Sequence, residues 1–284
     1  MPKLLSALSL AFLIAISLTV PAASASTALP NAKVVIIAGP VAGATSSYES
    51  DANDAANAAR QFSSNVITIY TPNATWAAVS AALQGASIVV YMGHGNGLTS
   101  PYHKTFDINA IPSSVDGLGL NPPGNTTNNS TTQYYGEASL AKSIHLAPNA
   151  VVILAHLCYS AGNSEPQNPA PTFAVARLRV DNMTAGWLRT GARAVISEVH
   201  ATGMTGWYID QLFTTQQTIN ALWQSAPTFR NDVQVSASIR NSWATIQLDR
   251  DPSATGNAQF GRAIGGDMSL LSNSVVQTAI ATPY

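Results

Sequence analysis

Only 10% of the 284 residues are charged, and the chain holds one cysteine. A lone cysteine excludes a scaffold stapled by disulfides within the chain. The 13 Lys+Arg stand against 14 Asp+Glu, with no basic or acidic run. That balance argues against a nucleic-acid partner, which calls for a basic excess on one face. Soluble domains usually carry about a quarter charged residues. Here Ala, Ser, Thr and Asn take that place, as on the coat of an exported protein. Disorder is disfavoured as well, because 46% hydrophobic content can fill a core.

The chain has one long apolar run, at its start. Lys3 is followed by a mostly apolar stretch from Leu4 to Val20, then Pro21 and the small residues Ala23-Ser24-Ala25. This pattern reads as a secretory signal peptide over residues 1–25. The competing reading, a membrane anchor, is disfavoured by the run's length and the cleavage motif. The expectation is a secreted protein, free of the membrane after cleavage, with residues 26–284 as one domain. In an oxidising compartment Cys158 has no partner in its own chain, so it is either inert and buried or kept for its reactivity.

Short β-branched runs alternate with helical patterns. Strands are expected at Lys33–Ala38, Asn65–Tyr70, Ala86–Met92, Ala150–Leu154 and Ala192–Glu198. Helices are expected at Ser47–Phe62, from an Asn73 cap to Leu83, from an Asp181 cap to Thr190, and over Gly206–Trp223, with part of Val233–Leu248 also helical. Strands apolar on both faces imply a mostly parallel sheet covered on both sides, an α/β three-layer αβα sandwich. Residues 96–135 break the alternation with prolines and an Asn/Thr run, and read as a long flap-like loop over the strand ends.

In such a fold the site lies beyond the carboxyl ends of the strands. His94 follows the third strand in the turn Gly93-His94-Gly95, and Cys158 follows the fourth. If those strands are neighbours, a thiol and an imidazole share one crevice, as nucleophilic acyl transfer needs. The backbone N–H of Gly95, with that of Cys158, is placed to stabilise an oxyanion.

The two segments Ile88-Val89-Val90-Tyr91-Met92-Gly93-His94-Gly95 and Val151-Val152-Ile153-Leu154-Ala155-His156-Leu157-Cys158 resemble those of the caspase, gingipain, legumain and separase clan of cysteine peptidases. The resemblance implies a caspase-like sandwich and a Cys/His dyad made of His94 and Cys158, with Gly95 as an oxyanion donor. It also implies a peptide or protein substrate and no cofactor. The chain departs from the clan in having His156-Leu157 ahead of the cysteine.

Two other functions fit the same residues. His94, His156 and His200, with Cys158, suggest a zinc-dependent hydrolase, although no His-x-x-x-His pair is present. A non-catalytic exported binding module is the other. Glu137, Glu165 and Glu198 are expected to line the pocket with His156 and His200, and an extended chain would point His156 and Cys158 to one side. Asn73, Asn125 and Asn182 each begin an Asn-x-Thr glycosylation tripeptide.

Overall fold

A computed structural model describes residues 31–97, 117–124, 131–200 and 202–277. The expected signal peptide, the Asn125 tripeptide and much of the expected flap lie outside the described residues. Five strands form as the β-branched runs predict: β1 (Val34–Ala38), β2 (Val66–Tyr70), β3 (Ile88–Met92), β7 (Val151–Ala155) and β8 (Ala194–Glu198). They pair in parallel, in the order β2-β1-β3-β7-β8. Every residue of β1, β3, β7 and β8 is buried. That is why these strands read as unbroken apolar runs rather than alternating ones.

The alternating side chains feed two cores. Val34, Ile36, Val90, Met92 and Ile153 face α1 (Thr45–Arg60), α5 (Met204–Thr214), α6 (Ile219–Gln224) and α7 (Ser272–Gln277). Val35, Ile37, Val89, Tyr91, Val152 and Leu154 face α2 (Trp76–Leu83), α3 (Glu137–Ser143) and α4 (Phe173–Leu188). The three-layer αβα sandwich is thus the observed architecture. Helix α1 settles onto the sheet through Ala52, Ala55, Ala56 and Ala59, a face of small residues at helical spacing.

The sheet is wider than expected. The segment expected to be partly helical at Val233–Leu248 is instead β9 (Val233–Ala237) and β10 (Thr245–Asp249). With β11 (Arg262–Gly266) they continue the sheet antiparallel beyond β8, in the order β8-β11-β10-β9. The physical reason is visible in the side chains. Ile246 and Leu248 lie in one cluster with Ala263, so the period is two, not 3.6. Gly265 lets β11 pass under α4, because a Cβ there would sit 2.6 Å from Thr184 Cγ2.

Helix boundaries move for local reasons. Thr75 rather than Asn73 caps α2, accepting from the Ala78 N–H. Thr172 caps α4 through Val175 N–H, so Asp181 lies mid-helix and buried, accepting from Ser238 and from the Ile239 N–H. The expected long helix breaks in two, because Thr218 caps α6 afresh. The described residues within and beside 96–135 include the strands of a small three-stranded antiparallel sheet, β4 (Gly95–Asn96), β5 (Gly117–Leu120) and β6 (Gln133–Gly136).

Candidate active site

Parallel pairing fixes the neighbourhood. Met92 of β3 is the register partner of Ala155 of β7, and Ala155 is that of Glu198 of β8. His94, Cys158 and His200 therefore leave the same edge of the sheet, from adjacent strands.

The His-Gly turn is held from below by Tyr91. Its buried hydroxyl accepts from the Gly119 N–H at 2.9 Å and lies 2.9 Å from the His94 carbonyl and 2.8 Å from that of Gly119. The His94 carbonyl also accepts from the Gly119 N–H at 2.9 Å. These bonds lock the backbone of the His94 turn. Gly95 lies against the turn that carries the cysteine: a Cβ at this position would collide with the Cys158 carbonyl oxygen and approach Leu157 Cδ1 to 2.6 Å. The two segments are thus in backbone contact.

After Ala155 the chain ceases to be extended. His156 adopts φ 57° and Tyr159 φ 69°, both in the left-handed region that costs a side-chain-bearing residue roughly 1–2 kcal/mol. The extended-strand argument for His156 and Cys158 thus fails locally, because the bend reorients the chain between them. Both nevertheless line one cavity of ≈ 200 Å³, together with Tyr48, Asn163, Ser164 and His200. His156 Nε2 lies 2.9 Å from Asp51 Oδ2, and its ring packs on Tyr48 with centroids 4.8 Å apart. Its N–H donates to the Glu198 carbonyl at 3.1 Å, tying the ends of β7 and β8.

The electrostatics set the protonation states. Burial, followed by the nearby Glu165 carboxylate, pushes the Cys158 thiol up to about 11, against a backbone hydrogen bond that lowers it. Burial pushes the His94 imidazole down, and burial followed by His156 does the same to His200. The Cys158 thiol is thus protonated and the His94 imidazole neutral near pH 7; Cys158 lines the cavity described above and His94 does not. The imidazole is in the state a general base requires.

The remaining expected residues separate. Glu165 accepts from the Tyr159 hydroxyl and from Asn168 Nδ2, the latter at 3.0 Å, and its charge reaches Cys158. Glu198 lines a second cavity of ≈ 210 Å³, which shares the His200 and Ala258 walls with the first. It accepts from Arg262 Nε at 2.6 Å and from the Tyr208 hydroxyl at 2.6 Å, while Arg262 Nη1 reaches Asp249 at 2.6 Å. Glu137 lines neither cavity. It is buried at the start of α3 and pairs with Arg189 and, at 2.6 Å, with Arg240. The expectation of Glu137 as a pocket residue gives way to a structural ion pair. Among the described residues no group of three or more His, Cys, Asp or Glu is placed to hold a metal ion, so the zinc reading has no ligand set there. Asn182 is 1% exposed, which closes its glycosylation tripeptide in the folded chain.

Sequence reasoning missed Tyr48, Asp51, Tyr91 and Asn163. A signal for the first two existed: α1 follows β1 after one short 3₁₀ turn (Ala42–Ala44), so its opening turns stand at the same sheet edge as the strand ends.

No protein-family model matches the chain, and no curated protein does. A solved structure to which it bears a faint likeness is that of protein GSU0716 from Geobacter sulfurreducens, at 13% identity and a TM-score of 0.35, over 69% of this chain and 87% of that one. Among the described residues no helix is long and apolar enough to cross a membrane.

Proposed function

We propose that the chain is an exported cysteine peptidase of the caspase-like kind, with Cys158 as nucleophile and His94 as general base. The observation that carries this reading is the contact between the Gly95 turn and the Cys158 turn at the ends of neighbouring strands, beside a cavity that the sulfur shares. In the first step the Cys158 sulfur attacks the carbonyl carbon of a peptide bond, and its proton passes to the His94 imidazole. The N–H groups of Gly95 and Cys158 donate to the oxyanion. The His94 imidazolium then protonates the leaving amine as the C–N bond breaks, leaving a thioester on Cys158. Water, deprotonated by His94, hydrolyses that thioester and regenerates the thiol.

The test is turnover of a broad peptide library by the purified protein. Hydrolysis lost in both Cys158→Ala and His94→Ala supports the dyad. Hydrolysis that survives Cys158→Ala overturns it, and no hydrolysis by the unaltered protein favours a non-catalytic binding module.

A further inference from the structure

The stretch of chain beyond Cys158 is tied down by one side chain from a distant turn. Asn163, Ser164 and Pro166 line the cavity that Cys158 shares, and so does Asn257. Asn257 is buried in the 3₁₀ turn Gly256–Gln259, between β10 and β11. Its Oδ1 accepts from the Ser164 N–H at 2.9 Å. Its Nδ2 donates to the Ser164 carbonyl at 2.7 Å and to the Glu165 carbonyl at 3.0 Å. One amide thus satisfies three backbone groups, as a neighbouring strand would. Asn168 gathers the tip into one piece, donating from Nδ2 to Ser164 Oγ at 3.2 Å and to Glu165 Oε2 at 3.0 Å. At the near end Gly162 turns the chain at φ 99°, and its carbonyl accepts from Arg179 Nη1 at 2.9 Å.

The contacts oppose one another. Asn163 is 1% exposed, and its side-chain oxygen has no hydrogen-bond partner among the described residues. Burying a carbonyl oxygen without a donor costs its hydration and returns nothing. Lifting the stretch would give that oxygen back to water. The Asn257 amide resists the lift, and so does Glu165, which accepts from the Tyr159 hydroxyl. Tyr159 adjoins Cys158, so the same bond keeps the Glu165 carboxylate by the sulfur. Burial first, and then that charge, hold the thiol up at about 11. The other ionisable groups around the cavity are Tyr48 and Asp51 from α1, His156 beyond β7 and His200 beyond β8, with Asp51 and His156 paired to each other.

We propose that Asn163–Glu165 is a gate over Cys158, and that Asn257 is the positioning residue that keeps it shut. Shut, the gate holds the Glu165 carboxylate beside the sulfur. Open, it uncovers the sulfur and carries that charge away. As control of a nucleophile, the gate rests on the reading of Cys158 in that role. It sets how readily the thiol is reached, not which residue is taken.

Iodoacetamide labelling of the folded protein, followed across pH, reads the gate. The sulfur displaces iodide and forms a thioether, and the mass gain is mapped to Cys158. Asn257→Ala should speed labelling at neutral pH by at least ~10-fold and lower the pH at which the rate levels off. Asn163→Leu removes the buried oxygen at similar volume, and should slow labelling by about threefold or more. Glu165→Gln keeps an acceptor for Tyr159 and should move the profile to lower pH. Added to Asn257→Ala it should move the profile less, because there the carboxylate has already left the sulfur. Equal shifts in both backgrounds, or Asn257→Ala labelled no faster than the unaltered protein, overturn the gate. Should Asn257→Ala not fold, Asn163→Leu decides: labelling as fast as in the unaltered protein overturns the gate. Labelling with the expected signs but no hydrolysis of the peptide library leaves a gated thiol and removes the peptidase. Hydrolysis that requires Cys158, with labelling indifferent to Asn257, removes the gate alone.

Discussion

Gly95 and Cys158 touch through their backbones, so tightly that no side chain fits between them. The contact sets the spacing of the whole candidate site. A methyl group at residue 95 must push away both the Cys158 carbonyl and Leu157, whose Cδ1 would lie 2.6 Å from it. Gly95→Ala is expected to destabilise the fold by about 1–3 kcal/mol, as overpacking does. It should also reduce turnover by more than tenfold by separating the two turns. Urea denaturation and peptide hydrolysis on the same preparation check both effects.

The thiol makes a pH prediction. Small alkylating agents react with the thiolate, and the folded thiol ionises near 11 rather than at the ordinary value of 9.0. The iodoacetamide rate of the native protein should therefore climb about tenfold per pH unit through pH 9 and beyond, where a free thiol levels off. The sign for stability follows. The unfolded thiol ionises first, so stability is fully present below pH 9.0 and falls as the pH rises toward about 11. Denaturation midpoints of the protein and of Cys158→Ala across that window measure the difference.

Arg262 joins two buried carboxylates, Glu198 and Asp249, each at 2.6 Å. Arg262→Met removes one cation and leaves two buried acids without it. The expected loss is about 3–5 kcal/mol, the range for breaking a buried pair from one side. Replacing Glu198 by Gln should cost less, because Arg262 keeps Asp249 and the Trp223 carbonyl at 2.8 Å. Chemical denaturation of the two variants gives the ordering.

His156 separates backbone from side-chain effects. Both His156→Ala and His156→Gly lose the bond to Asp51, but only glycine accepts φ 57° without strain. The alanine variant is expected to be the less stable by about 1 kcal/mol. Equal stabilities would mean that the bend at 156 is not maintained in solution.

How much of this was legible depended on where the information lay. The runs VVIIA, IVVYM and VVILA announce buried parallel strands because both of their faces are covered. The alternation in β9 and β10 was present too, yet VQVSA carries exposed residues on an edge strand and TIQLD gains its neighbours from β9 on one side and β11 on the other. Among the site residues, His94 and Cys158 were readable because each closes a strand. Asn163 was not, because an unpaired oxygen is a property of the folded neighbourhood and leaves no pattern in the chain. Glu137 read as a pocket acid because its partners, Arg189 and Arg240, are far along the sequence.

The strands that carry His94 and Cys158 are interior strands of the sheet, flanked by other strands on both sides, with no residue of either exposed. Their amide protons should be among the slowest in the molecule to exchange with deuterated solvent. The loops at their ends are consequently anchored to the stiffest ground available. Under the proposed function, selectivity at this edge then comes from the shape the cleft already has at rest, and a bound peptide should alter the exchange pattern of β3 and β7 very little.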